Sequence, residues 1–208
     1  DVGRALPAVA EHLSPPTFAR SAAVPDGRLV GRAVHVYLEH ADLADLAAPA
    51  AVRGQLERLV SAGRISAEQA ALVPVEDVAW LTGTELGRLL AEHAGRLRRE
   101  LPFVYAWPVG ADATILRGVI DCLVETPAGL IVVDYKTDRV SDEAALAERA
   151  AKYTTQLRIY AAVAARILDR PVSRAVLVFL RQRRLIEVPC GAGLPAVDLL
   201  AALAPAAP

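Results

Sequence analysis

Two stretches rich in β-branched and aliphatic residues, 113–125 and 130–136, are separated by the four residues Thr-Pro-Ala-Gly. Proline and glycine in so short a connection are typical of a turn, so the two stretches predict a pair of antiparallel strands. A further stretch, 101–109, which Pro108 and Gly110 bring to an end, predicts a strand before that pair. The sequence therefore predicts a three-stranded β-meander, which a purely helical fold cannot contain.

Helical patterns surround this meander. Apolar residues recur at a spacing of three to four in 29–45, 50–73 and 76–99, with a break near Pro74. After the meander, Ser141 is the expected N-cap of a helix that runs to Leu168. The chain then offers a strand at 174–180 and a short one at 185–188. This order predicts an α/β (α+β) fold in which a mixed sheet, made of the meander and a further strand, is flanked by helices and carries a helical insertion.

The length of 208 residues suits one domain. We expect a lead-in at 1–28, a helical part at 29–99, an αβ core at 100–190 and a loose tail at 191–208. The absence of methionine from a chain of this length predicts a piece of a longer protein.

Composition excludes several classes of protein. No run of about 18 apolar residues is free of charge, and no basic segment followed by an apolar one opens the chain, so we expect neither a membrane partner nor a secretory signal. Two cysteines are too few for a disulfide framework or a four-cysteine iron–sulfur cluster, and we expect a cytoplasmic location. The balance of 23 basic and 24 acidic residues gives no overall attraction to a polyanion.

Charged side chains lie inside the predicted meander. Asp134 and Lys136 point to one face of their strand because strand side chains alternate with a period of two. Asp121 on the preceding strand can lie beside Asp134 across the short turn. Two neighbouring buried carboxylates repel, and a divalent cation between them would relieve that repulsion. The alternative for each aspartate is a turn cap or an ion pair with an arginine at a strand end.

Two helical segments offer further candidates. His35 lies on the flank of an apolar helical face, where a lone histidine is commonly a packing residue. Glu39, one turn later, is either its partner or a solvated residue. In the helix after the meander, Tyr153, Gln156 and Tyr160 share one face. That face is either a core stripe or a place where the Gln156 amide meets a carboxylate or a phosphate.

The chain resembles the PD-(D/E)xK nuclease domain of bacterial RecB/AddA-type helicase-nucleases, and the AddA branch most. The aspartate, followed thirteen residues later by Asp-Tyr-Lys, matches the D…(D/E)-x-K pattern of that class, and Gly31 to Glu39 matches its G-x-x-x-H-x-x-L-E helix. The matching segments are GRAVH (31–35), RELPF (99–103), RGVIDCLVE (117–125), VVDYKTDR (132–139) and YTTQLRIY (153–160).

The resemblance implies a set of residue roles. It makes His35, Asp121 and Asp134 metal ligands, together with the backbone carbonyl of Tyr135. It makes Lys136 the catalytic lysine, with Gln156 and Tyr160 as the associated helix motif. The implied cofactor is Mg²⁺, for which Mn²⁺ can substitute, and no iron–sulfur cluster is expected.

The resemblance also implies an activity and partners. It implies an exonuclease that hydrolyses DNA in double-strand-break repair and recombination, acting on single strands. It further implies a helicase domain on the same parent chain and a second helicase-nuclease subunit. The alternatives are a nuclease fold with an inactive site that serves as a scaffold or DNA clamp, and a stand-alone nuclease. For contacts with DNA we expect either Arg181, Arg183 and Arg184 or Arg96, Arg98 and Arg99, unless these are ordinary solvated charges.

Overall fold

A computed structural model of the chain describes residues 26–45, 48–109 and 111–190. The predicted tail at 191–208 and all but the last three residues of the predicted lead-in at 1–28 lie outside these ranges. Within them, no helix is long and apolar enough to cross a membrane.

Six α-helices and five strands make up the described part of the chain. The helices are α1 (Gly27–His40), α2 (Pro49–Ser61), α3 (Ala67–Leu72), α4 (Val75–Gly83), α5 (Glu85–Glu92) and α6 (Glu143–Ile167), with short 3-10 helices at Leu43–Asp45 and Ala94–Arg96. The strands are β1 (Leu97–Val109), β2 (Asp112–Thr126), β3 (Gly129–Lys136), β4 (Val172–Phe179) and β5 (Arg184–Glu187).

The five strands form one mixed sheet in the order β1-β2-β3-β4-β5. β1, β2 and β3 are antiparallel neighbours, which confirms the predicted meander. β4 lies parallel to β3, so the chain must cross over between them, and α6 makes that crossover. β5 returns antiparallel to β4. The predicted α/β class is therefore confirmed.

Helices cover both faces of the sheet, and each face has its own apolar core. On one face, residues of α1 to α5 pack against the strands; Val34 and Tyr37 of α1 meet Val133 there. On the other face, Leu157 of α6 packs with Phe179 of β4. Because β3 is buried on both faces, its sequence reads as a continuous apolar run rather than an alternating one.

The helical part differs from the prediction in its boundaries. The segment predicted as one helix at 50–73 is two, because Gly63 adopts a left-handed φ of +67° after α2 ends. The segment 76–99 is also divided, at Thr84, whose hydroxyl accepts a hydrogen bond from the Gly87 N–H and so caps α5. Its last residues are not helical, since β1 begins at Leu97 rather than 101.

The N-cap of α6 is also corrected by one residue. Asp142, and not Ser141, accepts a hydrogen bond from the Ala145 N–H, at 2.9 Å, and Ser141 donates its hydroxyl to the second oxygen of Asp142. A carboxylate can satisfy both donors at once, which explains why the aspartate takes the cap position.

The first two strands exchange faces at Glu100 and Asp121. Glu100 has a φ of +45°, a left-handed conformation that is strained for glutamate. Before it, Arg99 points toward α1, where Nη1 donates to the carbonyl of Ala41 at 2.6 Å. After it, Phe103 joins the core on the α6 face. Glu100 and Asp121 therefore lie where the twisted hairpin passes from one layer of the molecule to the other.

Candidate functional site

Four elements meet at this crossing point. α1 contributes His35, β1 Glu100, β2 Asp121 and β3 the backbone of Tyr135. His35 Nδ1 lies 3.0 Å from Glu100 Oε1 and 3.6 Å from Asp121 Oδ1, and Nε2 lies 3.2 Å from the carbonyl oxygen of Tyr135. The fold thus brings together residues that are up to 100 positions apart in sequence.

His35 is surrounded by acceptors. Burial lowers the pKa of His35, but the hydrogen bond to Glu100 and the negative charge of Asp121 outweigh it and hold that pKa above its ordinary value. Glu100 Oε1 and the Tyr135 carbonyl oxygen are both acceptors, so the imidazolium, which donates from both nitrogens, matches this setting. A metal ion in the same place would require the neutral ring as ligand.

The two aspartates carry more buried negative charge than their surroundings neutralise. Asp121 is 8% exposed and accepts the Tyr135 N–H at 2.7 Å. Burial raises the pKa of Asp121, and the charge of Asp134 raises it further. Asp134 is 2% exposed, and burial raises its pKa although Lys136 acts in the opposite direction. A positive charge placed between these groups would lower both pKa values.

Lys136 is held on three sides. Its Nζ lies 2.6 Å from Asp134 Oδ2, donates to Gln156 Oε1 at 3.4 Å and lies 4.1 Å from the centre of the Tyr153 ring. Burial lowers the pKa of Lys136, but the Asp134 carboxylate raises it by more, so the side chain is a cation. Gln156 in turn donates from Nε2 to the Tyr160 hydroxyl at 2.9 Å. The helix motif of α6 therefore positions the lysine, and both ends of the Gln156 amide have a partner.

The predicted metal ligands fall into two groups. His35, Asp121 and the Tyr135 carbonyl lie together, whereas Asp134 is directed to Lys136. Glu100, which the sequence interpretation did not assign, joins the first group: one ligand atom each from His35, Glu100 and Asp121 lies within 4.8 Å of the others. Carboxylate, carbonyl and imidazole donors around excess negative charge fit a hard divalent cation.

A signal for Glu100 is present in the sequence. It is an acid within RELPF, at the residue where the helical period gives way to a strand pattern. Pairing β1 with β2 in register sets it opposite Asp121, since Arg99 pairs with Cys122 and Leu101 with Ile120. Glu39, by contrast, is exposed.

Most of the arginines expected to bind DNA have other partners. Arg183 pairs with Asp77 and Arg184 with Glu143, while Arg98 pairs with Glu125. Arg99 is committed to the carbonyl groups at the end of α1. These four therefore serve the fold, and Arg96 and Arg181 are the two of the six for which the described residues show no ion pair.

Known proteins match most of this chain. The profile of the PD-(D/E)XK nuclease superfamily matches residues 9–202. The AddA subunit of the ATP-dependent helicase/nuclease of Desulforudis audaxviator is 36% identical over 83% of this chain and 15% of its own length. The protein of the same name from Lysinibacillus sphaericus is 31% identical over 83% of this chain and 14% of its own length. The chain thus spans only a small part of these curated relatives.

A third relative and one solved structure complete the comparison. The protein of the same name from Anoxybacillus flavithermus is 37% identical over 53% of this chain and 9% of its own length. The crystal structure of SSO0001 overlaps 84% of this chain and 81% of its own at a TM-score of 0.41 and 16% identity. From the profile match and the relatives above 30% identity, the chain belongs to the PD-(D/E)XK nuclease superfamily and is a nuclease domain similar to that of the AddA helicase-nucleases.

Proposed function

We propose that this chain is a metal-dependent DNA exonuclease domain that hydrolyses phosphodiester bonds of single strands delivered by a helicase motor, in double-strand-break repair and recombination. The observation that carries the proposal is the meeting of His35, Glu100 and Asp121 around the Tyr135 carbonyl, next to the Asp134 and Lys136 ion pair. A structural ion-pair network does not require an imidazole, three carboxylates and a buried lysine at one point.

The proposed cation is Mg²⁺, for which Mn²⁺ can substitute. His35, Asp121 and the Tyr135 carbonyl would hold it, with Asp134 and Glu100 as the further carboxylates. A bound divalent cation supplies Lewis-acid chemistry at a phosphate and lowers the pKa of a water molecule.

The residues of the chain perform the remaining steps. Asp134 and Gln156 hold the Lys136 ammonium in place, so its N–H groups can orient a water for in-line attack and offset the charge that develops on the phosphate. The buried surroundings of Asp121 and Asp134 keep both groups rigid and exclude bulk water. His35 is kept in one orientation by Glu100.

The proposal extends to the partners implied by the relatives. Their name describes one subunit of an ATP-dependent helicase/nuclease, which supports a helicase domain on the parent chain and a second subunit, with the cytoplasm as the place of action. A motor that threads a strand into the site would supply the effective concentration that a domain of net charge −1 lacks.

The test is digestion of an end-labelled single-stranded oligonucleotide with Mg²⁺. We expect cleavage that EDTA abolishes and that both Asp134→Ala and Lys136→Ala remove without unfolding the protein. Arg53→Gln, a change on the surface of α2, is the matched control and should cleave at the wild-type rate. A wild-type protein that is folded, binds Mg²⁺ and leaves the strand intact, alone and fused to its motor, would overturn the proposal in favour of an inactive scaffold.

A further inference from the structure

A cleft of about 470 Å³ opens beside the catalytic groups. Its walls are the first turn of α1, the segment that follows β3, and the first half of α6; His35, Tyr135 and Lys136 form its floor. Pockets of this size accept a ligand of one nucleotide or slightly more. A strand lying in the cleft would therefore touch the groups that are proposed to cut it.

Three arginines line this cleft, one from each wall: Arg28, Arg139 and Arg149. All three are exposed. Among the described residues, the guanidinium groups of Arg28 and Arg139 have no hydrogen-bond or ion-pair partner. Arg149 has a long contact, 3.5 Å from Nε to Asp138 Oδ1. Unlike the arginines that tie down Asp77 and Glu143, these three have donors to spare.

The carboxylates of the cleft already have partners. Asp26 caps α1 and accepts the Arg28 N–H at 2.9 Å. Asp138 accepts the Tyr153 hydroxyl on both oxygens, at 3.0 and 3.1 Å. The charged lining amounts to four cations, with Lys136, against these two anions, in a chain whose net charge is −1. The cleft is therefore a local positive region on a slightly acidic protein, and the N–H groups at the start of the 14-residue α1 add to it.

We propose that Arg28, Arg139 and Arg149 bind the phosphodiester groups of a single DNA strand next to the bond placed at the catalytic centre. A guanidinium fork matches two oxygens of a phosphate, and three forks on separate walls fix the course of a backbone without reading its sequence. The inference rests on the proposed nuclease function for its substrate class. It replaces the arginines that the sequence alone suggested.

The test is the salt dependence of binding, measured by fluorescence anisotropy with a labelled single-stranded oligonucleotide in EDTA, so that cleavage plays no part. Each phosphate contact on a single strand contributes about 0.7 to the slope of log affinity against log salt. We expect the double variant Arg28→Gln/Arg139→Gln to lose about 1.4 from that slope. Its affinity should fall by roughly 2- to 5-fold for each arginine, as for solvent-exposed ion pairs.

The matched control is Arg53→Gln/Arg184→Gln, which removes the same charge from arginines that pair with Glu76 and Glu143 outside the cleft. An equal loss of slope in the control, an unchanged slope in the cleft variant, or no binding by the wild-type protein at low salt would each overturn the proposal. Loss of slope confined to the cleft variant supports it even if no cleavage occurs. Mg²⁺-dependent cleavage with an unaltered slope would leave the nuclease standing and remove this binding surface.

Discussion

Gly118 in β2 leaves the space in which two rings meet. It lies opposite Phe103 in the β1 to β2 register, and Phe103 packs edge-on against Tyr160 of α6, with ring centres 5.3 Å apart. A β-carbon at position 118 would lie 2.8 Å from both Cε1 and Cζ of Phe103 and 2.9 Å from Cε1 of Tyr160. The change Gly118→Ala must therefore push both rings away.

The size of the effect follows from two opposing terms. Forcing an extra carbon into a packed site costs about 1–3 kcal/mol. Removing a glycine makes the unfolded chain less flexible, which returns about 0.4–1 kcal/mol. We therefore expect Gly118→Ala to lower the free energy of unfolding by roughly 1–2 kcal/mol. For a domain of this size, that corresponds to a fall in Tm of about 2–8 °C.

The assay combines thermal unfolding with cleavage. Because the Tyr160 hydroxyl accepts from Gln156, and Gln156 accepts from Lys136, displacement of the ring should also loosen the lysine and lower kcat. Phe103→Leu removes the ring that the new methyl group meets, so the double variant should be more stable than the sum of the single effects predicts. An unchanged or higher Tm for Gly118→Ala, or strict additivity with Phe103→Leu, would refute the reasoning.

Three further predictions concern the site. Asp121→Asn should raise the metal-free Tm at pH 8, and in the wild type stability should fall as pH rises from about 4 to 8, because the folded-state pKa of Asp121 lies above its unfolded value; a metal-free Tm that rises over that range would contradict this. Glu100→Gln should weaken Mg²⁺ binding by roughly 10- to 100-fold, as titrated by the rise in Tm with added Mg²⁺, and wild-type affinity would exclude Glu100 from the centre. Tyr153→Leu should lower kcat several-fold more than Tyr153→Phe, which keeps the ring over Lys136; equal rates would show that the ring does not position the lysine.

The sequence predicts the meander and the core of the site because both depend on local rules. A four-residue turn with proline and glycine dictates an antiparallel return, and the period of two then puts Asp134 and Lys136 on one face. The observed ion pair of these two residues follows from that alternation. The helix motif is also readable, since Gln156 and Tyr160 are separated by one turn and bond to each other.

Other features depend on tertiary structure and could not be read from the chain. The exchange of faces at Glu100 requires a left-handed φ in a residue that rarely adopts one, so no pattern of alternation predicts it. The role of each arginine depends on which acid lies nearby: Arg183 finds Asp77, 106 residues away, whereas Arg139 finds none among the described residues. Helix boundaries failed for a local reason, since the left-handed turn at Gly63 interrupts an otherwise periodic segment.

The order in which parts of the chain can assemble follows from where the site residues originate. Glu100, Asp121, Asp134 and Lys136 all lie in one hairpin-connected segment, β1 to β3, whose contacts need only short loops to close. His35 reaches Glu100 and Tyr135 only across 65 and 100 residues. Docking of α1 therefore has the highest contact order in the site and is entropically the most costly step. A chain whose meander has formed but whose first helix is detached holds its lysine and its carboxylates without the imidazole that completes them.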